Sequence, residues 1–70
     1  MTWVTVQSSF LWKIGYNPIS RVLGVSYLNG AMPSYYGNVP QIVFDGFVNA
    51  RSPGSFYNSH VRRKYVRVGI

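Results

Sequence analysis

The apolar positions of this chain follow a period of two through the first half and then a helical period. Val4 to Val6 and Phe10 to Tyr16 read as extended, the second through alternation of Phe10, Trp12, Ile14 and Tyr16 against Leu11 and Lys13. Asn17-Pro18 turns the chain, and Arg21 to Leu28 alternates again, with Leu23, Val25 and Tyr27 on one face. Asn29-Gly30 supplies the positive backbone angles of a tight hairpin. That predicts a partner strand from Ala31 to Tyr36. Pro33 has no N–H for a ladder, so this strand lies at an edge or carries a bulge.

Beyond Pro40, a residue suited to a first helical turn, Val43, Phe44, Phe47 and Val48 repeat at helical spacing through Ala50. Gly46 weakens this helix by ~1 kcal/mol relative to alanine, which points to a neighbour packed closely on its backbone. Ser52-Pro53-Gly54 ends it. A second helix is predicted from about Ser55 to Tyr65, with Tyr57, Val61 and Tyr65 turned to the sheet, and Val66 to Ile70 as a short strand or ordered tail. The expected fold class is α+β: a small antiparallel sheet of about three strands followed by two short helices.

Seventy residues make one domain, 1–70, because so short a chain cannot divide its apolar surface between two cores. The content is 47% hydrophobic and 17% aromatic, enough for one thin core built on large rings. Having no cysteine, the chain has no disulfide, zinc-thiolate or thiol chemistry, so oligomerisation is the expected source of added stability. A reducing, cytoplasmic setting is expected. There is no signal-like start and no run of the ~20 apolar residues that a membrane span needs. Charge is lopsided. Lys13, Arg21, Arg51, Arg62, Arg63, Lys64 and Arg67 face one acid, Asp45, for a net charge of +6. Such a field attracts phosphates and nucleic acids; arginines that only keep an aromatic surface soluble would be the alternative.

Several residues in order carry a family resemblance. Ser8-Ser9, Ile14-Gly15-Tyr16, Leu23, Val25 and Gly30, Val39-Pro40, and then Ser52, Gly54, Phe56, Tyr57, Asn58, Val61, Arg62 and Tyr65 together resemble the KTSC domain. That family occurs at the C-terminus of some lysyl-tRNA synthetases and as free-standing bacterial or phage proteins. The resemblance implies strands followed by helices, and RNA binding only as a suggestion. Its tyrosine-any-tyrosine motif falls here on Ser34 and Tyr36, so the first ring is missing and Tyr35 is the candidate substitute. Phe44 stands where a tyrosine is common, and Gly46 replaces a better helix former.

Catalysis has little to stand on. One acid allows no carboxylate pair, and a Ser-His-Asp relay would need His60 and Asp45 from different helices without a nucleophile elbow. One His and one Asp fall short of a metal site, and no cofactor is expected. Binding is better supported. Gly54 precedes a helix whose first-turn N–H groups suit an anion. Asn58, Arg62 and Tyr65 share a flank offering an amide, a guanidinium and a stacking ring. Arg63, Lys64 and Arg67 extend the positive surface. Tyr35, Tyr36, Tyr27 and Trp12 can stack bases or fill a core. Ser8-Ser9 can hold a phosphate or satisfy the backbone at a bend.

The candidate ligand residues are therefore Asn58, Arg62, Tyr65, Arg63, Lys64, Arg67, Tyr36, Tyr35, Ser9 and Gly54. The first expectation is a non-enzymatic module binding RNA or nucleotides, with no membrane association. The second is sequestration of a small nucleotide signal between identical subunits, since a pocket of ~300 Å³ is hard to enclose in seventy residues. The third is a protein-interaction adaptor.

Overall fold

A computed structural model describes residues 1–69. Strands β1 (Thr2–Thr5), β2 (Leu11–Asn17), β3 (Val22–Tyr27) and β4 (Ser34–Tyr36) form one antiparallel sheet in the order β1-β2-β3-β4. Helix α1 (Gln41–Val48) and helix α2 (Pro53–Phe56) follow, and α2 continues without a break into a π-helical segment, Tyr57–Val61. The predicted α+β class stands, with four strands where about three were expected. The first strand, β1, overlaps the Val4–Val6 segment read as extended but begins two residues earlier, and its Val4 pairs with Ile14.

The predicted alternation in β2 fails at one point. Leu11 is opposite Tyr27 and Ile14 opposite Val25, so Trp12 and Lys13 together face Ser26. This is a β-bulge, and it reverses the phase of the strand at Lys13. Leu11, Ile14 and Tyr16 therefore point into the core while Phe10 and Trp12 are exposed. The Ser26 hydroxyl fills the gap, accepting from Lys13 N–H and donating to Lys13 C=O, both at 3.0 Å.

Asn29-Gly30 gives the register of a two-residue hairpin but not its hydrogen bonds. Val25 pairs with Ser34, Gly24 with Tyr35 and Leu23 with Tyr36, and the ladder stops at Pro33, which cannot donate. The chain turns instead through a bond from Gly30 N–H to Tyr27 C=O, with Gly30 at φ 79° and Asn29 capping Ala31 N–H.

One face of the sheet carries Leu11, Ile14, Tyr16, Leu23, Val25 and Tyr36 against Val39, Phe47, Tyr57 and Val61. Phe44 stacks on Tyr16, and the Tyr16 hydroxyl donates to the Val39 carbonyl. The neighbour anticipated at Gly46 is Phe56: a Cβ there would lie 3.3 Å from its ring. The second helix begins earlier than predicted because Ser52 caps Ser55 N–H, which leaves Pro53 in the first turn. The segment Val66–Val68 lies along β4, with Gly37 N–H bonded to Val66 C=O, Val68 N–H to Tyr35 C=O, and an antiparallel bridge between Tyr36 and Arg67. The predicted C-terminal strand is thus a single bridge; Ile70 lies outside the described residues.

Candidate functional site: an aromatic and basic cleft

The helix-covered side of the sheet opens at one end into a cleft of about 460 Å³ lined by Phe10, Tyr27, Ser34, Tyr36, Tyr57, Asn58, Arg62 and Arg67. Its floor is a chain of hydroxyls. Tyr57 Oη lies 2.7 Å from Tyr36 Oη and 3.1 Å from Tyr27 Oη, and Tyr27 Oη lies 2.8 Å from Ser34 Oγ. Four hydroxyls joined by three hydrogen bonds use three of four hydroxyl protons. The fourth is free to meet an acceptor that enters the cleft.

Burial, followed by the hydrogen bonds to Tyr27 and Tyr36, holds the Tyr57 phenol well above its ordinary range. It is a neutral hydroxyl at any physiological pH, able to donate and unsuited to act as a base.

The rim is positive. Arg62 and Arg67 stand on it with Asn58, all three exposed, and no acidic side chain lines the cleft. The two guanidiniums come from different elements. The π-helical segment presents Asn58 and then Arg62, whose N–H bonds back five residues to Tyr57 C=O at 2.9 Å. The Tyr36–Arg67 bridge brings Arg67 from the C-terminal stretch to the same mouth. Among the described residues neither the Asn58 amide nor the Arg62 guanidinium is engaged by a main-chain group.

Of the residues singled out from sequence, Asn58, Arg62, Arg67 and Tyr36 meet here. Tyr65 does not join them. The π-helical segment gives way to a turn over 62–64 that carries Tyr65 back onto the core, where it lines a separate cleft of about 540 Å³ with Gly37, Asn38, Lys64, Val66 and Val68. Arg63 is exposed and lines neither cleft. Ser9 borders a third opening of about 360 Å³ with Phe10, Tyr27, Leu28 and Asn29. Its neighbour Ser8 takes the structural role, accepting from the N–H groups of Phe10 and Leu11 at 3.2 Å each.

Gly54 does not join the cleft. It is buried beneath the Phe10 ring, where a Cβ would come within 2.7 Å, and the nearby Ser55 N–H is taken by Ser52. Tyr35 lies on the opposite face of the sheet, edge-on to Trp3, so it does not replace the ring missing at Ser34. Tyr27 does. Its phenol reaches Ser34 from the neighbouring strand, and nothing in the strand pattern alone distinguishes that reach from ordinary core packing. Phe10 was also missed as a lining residue, because the alternation grouped it with Ile14 and Tyr16 on one face and gave it no separate role.

A small α+β domain with a phenol-floored, arginine-rimmed cleft is the class that fold and site define. The KTSC domain family model matches residues 7–65, and the chain belongs to that family. It is 35% identical over 65 residues to a protein of Tsukamurella paurometabola, covering 93% of this chain and 96% of that one. The crystal structure of a KTSC domain protein from Yersinia pestis superposes with a TM-score of 0.89 at 28% identity, covering 99% of this chain and 96% of the other. No helix among the described residues is long and apolar enough to cross a membrane.

Proposed function

We propose that this protein is a non-enzymatic binding module whose cleft takes a phosphate-bearing ligand of nucleotide size. The observation that carries the reading is the meeting of Arg62, Arg67 and Asn58 over a floor of neutral hydroxyls, with no acidic side chain in the lining. Guanidiniums match phosphate oxygens, and the free hydroxyl proton adds a donor that stays charged-state independent. The Phe10 and Tyr27 rings offer a surface for a base at the inner side. A volume of about 460 Å³ falls within the range of small-ligand sites, and one chain forms it, so a cleft of this size requires no second copy. Among the described residues no carboxylate, imidazole or thiol lines it, which favours binding over catalysis.

The test is calorimetric titration of the full chain with inorganic phosphate, adenosine monophosphate, adenosine diphosphate and a short oligoribonucleotide. An RNA strand spread over five cations should give a log–log salt slope near roughly −3.5, at about 0.7 per phosphate, whereas a nucleotide held by two guanidiniums has no condensed counterions to release and should give a much shallower line. Silence from every probe at low salt would remove this reading and leave the adaptor.

A further inference from the structure

We propose that the open face of the sheet, across from the cleft, is a stacking platform for single-stranded nucleic acid, with bases resting on Trp3 and Trp12 and the backbone drawn to Lys13. The helices cover only one face. On the other, the register aligns Trp3, Gly15, Gly24 and Tyr35 in one row across all four strands. A Cβ at Gly15 would lie 2.7 Å from Trp3 Cδ2, and one at Gly24 2.6 Å from Trp3 Cη2. Those atoms belong to different parts of the indole, so the ring lies flat across β2 and β3. The two glycines are what permit it. Trp3 keeps 37% of its surface exposed, and the Tyr35 ring braces it edge-on at 6.4 Å.

The bulge in β2 supplies the second ring. It turns Trp12 outward, 47% exposed, and sets Lys13 Nζ 4.3 Å from the Trp12 ring centre. A groove of about 280 Å³ joins the two indoles, with Lys13, Ser26 and Pro33 as its remaining lining.

Charge selects the occupant. The groove holds a lysine and no acid, and Asp45, the one acid of the chain, sits on α1 beyond the sheet. A partner with planar rings and negative charge fits this face, and a strand with unpaired bases has both. A duplex conceals its ring faces within its own stack.

Both tryptophans of the chain lie on this face, so their fluorescence reports on it directly. The 70-residue chain titrated with a short oligodeoxythymidine should show quenching at low salt, and the matched duplex should show none. Trp12→Ala and Trp12→Leu, read through Trp3, should each weaken binding by roughly 5- to 150-fold, the range for losing one stacked base. Arg62→Ala, which alters the cleft, should leave this titration within about twofold while removing nucleotide binding there, so the two sites succeed or fail separately. The proposal is overturned by absence of quenching, by full affinity in Trp12→Leu, or by equal response to duplex. It is also overturned if light scattering finds a dimer that Trp12→Ala dissociates, since a second copy would then cover the platform.

Discussion

The two faces of the sheet accommodate aromatic rings by opposite means. On the helix-covered face, rings are buried with their hydroxyls joined: Tyr36 is 2% exposed and Tyr57 6%, their phenols bond each other, and Tyr57 also bonds Tyr27. On the open face, Trp3 and Trp12 remain half in solvent, and room for Trp3 comes from two residues with no side chain at all. The covered face therefore derives stability from its rings, because burial and hydrogen bonding both act there. The open face gains less from its rings and leaves them accessible.

The sharpest way to break that contrast is to remove one ring from each face. Phe47 is fully buried, stacked on Phe56 at 5.2 Å and on Tyr57 at 6.4 Å. Phe47→Ala should cost about 3–5 kcal/mol, enough to leave so small a domain largely unfolded. Trp12→Ala should cost no more than about 1 kcal/mol, mostly the lost contact with Lys13. Urea titrations of the two variants decide it, and equal losses would mean that the faces do not differ as described.

Tyr57 sharpens the same point through pH. Tyr57→Phe leaves the buried Tyr36 hydroxyl without its partner and should cost about 1–3 kcal/mol. Its phenol is held up in the folded protein, so the unfolded chain loses that proton first as pH rises past the ordinary value near 10. Stability linked to this group is therefore complete below about pH 10 and declines above it. Thermal unfolding followed from pH 8 to 11 should show the decline in the natural protein and a weaker one in Tyr57→Phe.

On the open face, Gly24→Val should cost about 1–3 kcal/mol, since a Cβ there meets Trp3 Cη2 at 2.6 Å and both Met1 Sδ and Tyr35 Cε1 at 3.1 Å, side chains that must shift together. The measurement is tryptophan emission. A red shift with retained secondary structure is expected, and an unchanged spectrum would mean that Trp3 does not lie on Gly24.

The sequence pattern disclosed the element order, the core positions Leu23, Val25, Tyr57 and Val61, and the close approach at Gly46. It did not disclose the bulge. Trp12 and Leu11 are both apolar, so either phase of β2 satisfies the alternation, and only the fit of Ser26 into the Lys13 backbone selects one. The site was half legible. Asn58 and Arg62 follow from helical spacing, but the π-helical segment and the turn after it separate Tyr65 from them, and no residue type announces that change of period. Arg67 was singled out by its charge, but the backbone bridge that brings it to this mouth is not encoded in side-chain chemistry. Gly15 and Gly24 pass for ordinary strand residues until the register sets them side by side.

The smallest expected effect on stability belongs to the residue on which the cleft most depends. Arg62 is exposed, and no buried group relies on it. Arg62→Ala should therefore change unfolding by no more than about 0.5 kcal/mol while abolishing calorimetric binding of the nucleotide that the natural protein takes up. Arg62→Lys separates charge from shape. A lysine keeps the positive potential but offers no planar fork, so a bidentate phosphate contact predicts weakened binding in Arg62→Lys, whereas attraction by charge alone predicts nearly full binding. A large fall in unfolding midpoint for Arg62→Ala would instead identify the guanidinium as part of the scaffold, and the rim of the cleft would then belong to the covered face's packing.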